Sequence, residues 1–258
     1  MLTEKPTEVI FKKDAETSPA AITVVITCYK YGREGLDALG SLLGQTEPVI
    51  DIVLIDDCSP DDSVERLRPW FESNADNPKF GRILFIRHVE NQGLSQSRNT
   101  ALAQVHTAYV FILDADNMIY PRCLQVLRES IENSGYAMAY SLIERFGAET
   151  GIMGNSVWIP ERFRRGNYID AMALIRTDVL LEIDGYRIMP FNFGWEDYDL
   201  WCSFVDRDLK GCYVPQILCR YRVHSRSMLR TSTNKTISKM ADEIRTFMEA
   251  HHTLKFHW

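Results

Sequence analysis

Tyr109-Val-Phe-Ile-Leu-Asp114-Ala-Asp116-Asn117 decides the reading of this chain. An apolar, β-prone run stops abruptly in two carboxylates one residue apart, followed by an amide. Such a run reads as a buried strand. The charges at its end must be solvated, paired or bound to metal, because an unpaired buried carboxylate is costly. Two hard oxygen ligands at a strand end suit Mg²⁺ or Mn²⁺ holding a diphosphate. Asp-x-Asp also occurs in many exposed turns, so the surrounding chain must decide between the two.

Upstream lie further runs of the same kind. Ile22–Thr27, Ile50–Ile55 and Arg82–Ile86 read as strands, and Tyr109–Leu113 as a fourth. Between them Leu36–Leu43, Val64–Phe71 and Leu94–Val105 have helical apolar spacing. Strands alternating with helices imply βαβ units and a parallel sheet. Ligands in such sheets gather beyond the carboxyl ends of the strands, where the polar clusters after Ile26, Ile55 and Leu113 fall. The second half is less regular. Helices are expected from Pro121 to about Asn133, over Asp178–Ile183 and over Glu196–Arg207. Strands are expected over Ala137–Glu144, Ala171–Arg176, Cys212–Val214 and Leu218–Arg222. Gly147–Gly166 reads as a loop with exposed aromatics, Trp158 and Phe163, and 237–248 as weakly amphipathic.

The 258 residues are 45% hydrophobic and 25% charged, an ordinary globular composition. A net charge of -6 argues against a nucleic-acid binder. No apolar stretch approaches the roughly 18 residues that span a bilayer, and the polar start, 1–20, lacks a signal-peptide core. The six cysteines are scattered without a Cys-x-x-Cys pair. This suits free thiols in a reducing cytosol, with peripheral contact to a membrane left open.

Six segments carry the chemistry in order: Thr27-Cys28-Tyr29-Lys30, Asp56-Asp57-Cys58-Ser59-Pro60-Asp61, Asn91–Asn99, Asp114-Ala115-Asp116-Asn117, Gly194-Trp195-Glu196-Asp197 and Tyr221–Ser227. Together they resemble glycosyltransferase family 2 from about Ile22 to Met228. The resemblance implies a GT-A fold: an α/β architecture with a mixed, mainly parallel central sheet flanked by helices. It divides the chain into a polar extension (1–20), a nucleotide-sugar-binding half (21–120), an acceptor-binding half (121–230) and a C-terminal helical extension (231–258). It further implies inverting transfer of a sugar from a UDP-sugar donor to a glycan, lipid-linked or other hydroxyl acceptor, with Mn²⁺ or Mg²⁺ on the diphosphate.

The same resemblance distributes roles. Thr27, Cys28 and Tyr29 would frame the base. Asp57 would accept from N3–H of uracil, a donor that cytosine lacks; a helix cap is the alternative. Cys58 stands where many relatives have glycine. Gly93 opens the turn before Arg98, which would pair with the diphosphate or anchor nearby acidic residues. Asp116, with Ala115 beside it, matches the metal-binding aspartate. Asp114 would orient the ribose or bind metal through water, and His224 would complete the metal site. Asp197 is the expected general base and Glu196 its competitor. Trp195 is a sugar platform or a core residue. Arg220, Arg222, Arg226 and Arg230 could assist the diphosphate or an anionic acceptor. A nucleotidyltransferase and a non-catalytic nucleotide-sugar-binding module are the competing readings.

Overall fold

The computed structural model describes residues 5–15, 18–189, 194–225, 227 and 234–257. Its centre is four parallel strands: β2 (Ile22–Cys28), β3 (Ile50–Asp56), β4 (Phe80–His88) and β5 (Tyr109–Asp114). Every residue of β2 and β3 is buried, as expected of strands covered on both faces. One face packs α1 (Gly32–Leu43), α2 (Ser63–Ser73) and α4 (Cys123–Ser134) through Leu39, Leu67 and Leu127. The other packs α3 (Leu94–Leu102), α5 (Thr177–Glu182), α6 (Glu196–Asp206) and α7 (Asn234–His251) through Leu102, Leu180, Phe204 and Met248.

Among the described residues the sheet has ten strands, adding β1 (Thr7–Lys13), β6 (Met118–Ile119), β7 (Met138–Gly147), β8 (Gly151–Met153), β9 (Ala173–Arg176) and β10 (Gly211–Val223). Its order is β1-β4-β3-β2-β5-β9-β7-β10-β6, with β8 on β7. Strands β2, β3, β4, β5, β7 and β10 share one direction; the others oppose it. The mixed, mainly parallel α/β fold is therefore what the chain adopts. Among the described residues no helix is long and apolar enough to cross a membrane.

Several elements differ from the sequence reading. Residues within the polar start form β1, antiparallel to β4, with Phe11 stacked on Phe71 at 6.0 Å. Helix α1 begins four residues before Leu36. A Cβ on Gly32 would meet Ser63 Cα at 2.5 Å, so glycine there lets α1 and α2 approach. The two short strands expected after Cys212 are one, β10, with register shifts around Pro215 and Gln216. A proline cannot donate to the ladder, and a bulge accommodates it. Phe163 is fully buried, 5.1 Å from Trp158 and 4.5 Å from Tyr168. It sits in a 3₁₀ turn, Pro160–Arg165. His252 ties the C-terminal end to α6, bonding Asp206 at 2.6 Å and Asp199 at 2.9 Å.

Candidate active site

Strand periodicity places the functional side chains. Val25, Val53, Ile55, Val110 and Ile112 face α3, so Thr27 and Asp114 at the ends of β2 and β5, and Asp57 just beyond β3, continue that face. Cys28, Leu54, Leu113 and Ala115 fall on the α1–α2 face, as does Asp56, which is fully buried. Thr27, Asp57 and Asp114 line a cleft of about 1150 Å³. This exceeds a typical pocket of roughly 300–1,000 Å³ for one small ligand and leaves room for two substrates.

At one end Asp57 organises the backbone. Its Oδ1 accepts from the Gln92 N–H and its Oδ2 from the Gly93 N–H, both at 2.8 Å. His88 Nδ1 donates to Oδ1 at 2.8 Å, and Asn91 Nδ2 bonds the Asp57 carbonyl at 2.8 Å. A carboxylate has about four acceptor sites, so one remains on Oδ2. Asp57 does not cap α2; the helix starts after Asp62, and Asp61 just before it bonds the Ser63 N–H and hydroxyl. Gly93 takes φ 82°, a left-handed conformation that turns the loop into α3. Cys58 takes φ 55°, so a side chain occupies a conformation that glycine would adopt freely. Tyr29 is exposed, with the Lys30 ammonium 4.8 Å from its ring centre. The Cys28 thiol is buried, which pushes its pKa well up, so Cys28 meets the cleft through its main chain.

The middle of the cleft is an ion-pair network. Arg98, 1% exposed, donates from Nη1 to Glu196 Oε1 at 2.7 Å and from Nη2 to Asp114 Oδ1 at 2.9 Å. Burial opposes its charge, but the two carboxylates outweigh burial and raise its pKa. Thr27 Oγ1 also donates to Asp114 Oδ1, at 3.2 Å. The guanidinium lies 5.1 Å from the Tyr186 ring centre. Asn99 exchanges two bonds with the Tyr186 backbone, at 2.7 and 2.8 Å, which fastens that segment to α3. Arg98 thus bonds acidic residues on two elements, Glu196 of α6 and Asp114 of β5.

Asp116 Oδ2 lies 3.0 Å from His224 Nε2. Burial, then the Asp114 charge, push the Asp116 carboxyl up to about 6 against the His224 contact. The turn is held from β10: the Arg222 N–H bonds Asn117 Oδ1, and its Nε bonds the Asp116 carbonyl, both at 2.9 Å. Arg222 also pairs with Asp37, and Arg220 with Glu144. Both arginines are engaged with the protein; Arg226 and Arg230 lie outside the described residues. Among the described residues, no group of three or more His, Cys, Asp or Glu is arranged around one point to hold an ion. Asp116 and His224 fit a divalent cation as a partial set, one hard carboxylate and one imidazole, with phosphate oxygens and water to supply the rest.

Glu196 and Asp197 begin α6 and have different surroundings. Glu196 is buried against Arg98, and burial raises its carboxyl pKa despite the guanidinium. Asp197 accepts from the Tyr198 N–H at 2.7 Å and from Asn167 Nδ2 at 2.8 Å. Burial, then the Glu196 and Asp170 charges, hold it well above the usual carboxylate range. Trp195 lines the cleft, 5.2 Å edge-on to Tyr198. Asn192 and Phe193, which precede Gly194, lie outside the described residues. Asn167 and Asp170 also line the cleft, as do Arg145 and Arg162. Arg145 comes from β7, and the other three from the irregular stretch where no spacing marks them in sequence; only the polarity of Asn167 and Asp170 around buried Ile169 hinted at them.

A family model described as Glycosyl transferase family 2 matches residues 23–195. The UDP-Glc:alpha-D-GlcNAc-diphosphoundecaprenol beta-1,3-glucosyltransferase WfaP of Escherichia coli is 23% identical over 90% of this chain and 89% of its own length. The crystal structure of S. aureus TarS 1-349 in complex with UDP-GlcNAc superposes with a TM-score of 0.70 at 15% identity, covering 90% of this chain and 67% of that one. The mannosyltransferase PcManGT from Pyrobaculum calidifontis, in complex with GDP-Man and Mn²⁺, gives 0.65 at 18% identity, covering 95% and 67%. The two structures share the fold.

Proposed function

Since the chain belongs to glycosyl transferase family 2, and is a glycosyltransferase enzyme rather than a nucleotidyltransferase, we propose that it transfers a sugar with inversion from a UDP-sugar to a hydroxyl of a glycan or lipid-linked acceptor. One observation carries this reading. A single cleft brings together Asp57 with an open acceptor site, Asp116 with His224 bonded to it, and an Asp197 carboxylate that has no cation bonded to it in the described contacts. The relatives support the acceptor class: WfaP is named for a lipid-linked acceptor and ExoU of Rhizobium meliloti for succinoglycan biosynthesis.

In this mechanism the uracil lies against Tyr29, and its N3–H donates to the open site on Asp57 Oδ2. Asp116 and His224 would hold Mn²⁺ or Mg²⁺, which neutralises charge developing on the leaving diphosphate. Asp114, fixed by Thr27 and Arg98, faces the ribose and phosphates. Asp197 removes the acceptor hydroxyl proton as that oxygen attacks the anomeric carbon. Asn167 and the Tyr198 N–H hold its carboxylate in place. Glu196 suits the base role less, because its oxygen is tied to Arg98. Inversion needs no covalent intermediate and puts the base on the face opposite the leaving group, as in inverting glycosidases.

Titration calorimetry of UDP and GDP with Mn²⁺ and with EDTA, followed by UDP-release assays on UDP-glucose and UDP-N-acetylglucosamine, tests the reading. UDP should bind more tightly than GDP, and more tightly with Mn²⁺. Asp116→Ala should remove most of the metal-linked gain. Equal UDP affinity in EDTA and Mn²⁺ would refute the metal assignment, and preference for GDP the base assignment.

A further inference from the structure

Asp170 is a carboxylate of the cleft that neither the nucleotide, the metal pair nor the base assignment uses. Asp170 lies on the segment joining the 3₁₀ turn to β9. Its Oδ1 accepts from the Met172 N–H at 2.9 Å, which fixes the side chain, and the residue lines the cleft. Two neighbours from different elements feel its charge. Asp170 raises the pKa of Asp197 on α6, and it heads the charges acting on Tyr221 of β10. In turn burial, then the charges of Asp114 at the end of β5 and Asp116 beyond it, push the Asp170 carboxyl up to about 6 against the Met172 N–H and Arg98. Asp170 lines the same cleft as Asp114 and Asp116 at the proposed leaving-group site and as Asp197, the proposed base.

In an inverting transfer the reacting sugar occupies the space between the leaving diphosphate and the base. A fixed carboxylate bordering that space meets sugar hydroxyls, each a donor for a charged acceptor. Asp116 is bonded to His224 and Glu196 to Arg98, whereas Oδ2 of Asp170 has no bond among the described contacts. We propose that Asp170 is a specificity residue of this enzyme, accepting hydrogen bonds through Oδ2 from hydroxyls of the donor's sugar ring. This rests on the UDP-sugar reading of the cleft and deepens it: the donor must carry a free hydroxyl on the ring face that Asp170 meets.

The test compares UDP with UDP-glucose and UDP-N-acetylglucosamine in the parent chain and in Asp170→Asn, by calorimetry and by kcat/KM for UDP release. Asp170→Asn should leave UDP affinity within about twofold. It should reduce kcat/KM for the sugar donor about 10-fold to 100-fold, the range for a charge-assisted hydrogen bond. In parallel, 2-, 3-, 4- and 6-deoxy forms of the better donor are assayed on the parent chain. At least one should lose about tenfold, and that one should lose little more in Asp170→Asn, since the contact is already gone. The deoxy series also decides the matter if the variant does not fold. Equal losses for UDP and the sugar donor in Asp170→Asn, or no deoxy donor losing more than about twofold, would overturn the proposal. A parent chain that binds neither UDP nor a UDP-sugar would instead overturn the reading beneath it.

Discussion

Replacing Arg98 by methionine should be the most damaging single change to the cleft. Methionine keeps the apolar stem and removes the guanidinium. Arg98 is 1% exposed, and its partners Glu196 and Asp114 have side chains 7% and 30% exposed. Truncating one member of a buried ion pair costs about 3–5 kcal/mol, because the other charge is left uncompensated. For a chain of this size that corresponds to a fall of roughly 6–20 °C in melting temperature. Lysine should recover only part, since one ammonium cannot span two carboxylates held by separate Nη atoms. The deficit should also depend on pH. Glu196 has a raised pKa in the folded chain, and Arg98 is the charge that restrains it. Without Arg98 the folded state binds that proton still more tightly than the unfolded state does. Stability of the variant relative to the parent therefore rises as pH falls through the raised pKa. Urea unfolding at pH 8 and pH 5 measures both effects, and adding Glu196→Gln should return about 1 kcal/mol or more at pH 8. A loss below about 1 kcal/mol, or one that is equal at both pH values, would refute this electrostatic account.

Asp197→Asn should slow transfer about 10²–10⁴-fold while UDP affinity stays nearly intact; a collapsed rate in Glu196→Gln beside a normal one in Asp197→Asn would exchange their roles. The rate should fall on the acid side at a pH above the usual carboxylate range, because a base must be ionised and Asp197 is held high by burial, Glu196 and Asp170. Asp170→Asn removes one of those negative charges, so the acid limb should move to lower pH; an unmoved limb in a pH–rate profile would count against Asp197 as the titrating group. Cys58→Gly should change stability by less than about 1 kcal/mol, relief of the left-handed strain offsetting added chain entropy. Cys58→Val should destabilise by more, since a β-branched side chain resists φ 55°; chemical denaturation of both variants separates them.

The parallel half of the fold was legible because its signal is local. Ile22–Thr27, Ile50–Ile55 and Tyr109–Leu113 are continuous β-branched and apolar runs, and the structure extends each by a single residue. Strand β1 was hidden by its setting. An edge strand beside β4 needs only alternate apolar residues, and Lys12 and Lys13 read as solvent-facing. The break assumed inside β10 came from Pro215, which in isolation ends a strand but here sits in a bulge.

At the site, alternation alone separates Asp57 from Asp56: residues two apart share a face, so one carboxylate meets the cleft and the other the core. What alternation cannot supply is partnership across the chain. Arg98 lies 98 positions from Glu196 and 16 from Asp114, and nothing in the spacing of Asn91–Asn99 says that its arginine points inward between two acids. The same holds for Asn167, which earns its place only because the fold brings it to Asp197, 30 residues on. The motif residues lie at the ends of regular elements, where periodicity dictates direction. Asn167 and Asp170 lie on an irregular segment whose course depends on packing: Trp201 Nε1 bonds the Ile169 carbonyl at 2.9 Å, and Tyr168 stacks on Phe163. On the proposed reading of the cleft, variation in that segment changes what faces the donor and acceptor while β2, β3 and β5 keep the proposed nucleotide end unchanged. Sugar and acceptor choice should therefore respond to substitutions between Gly147 and Met172 with little effect on UDP affinity, the separation that the Asp170→Asn comparison measures directly.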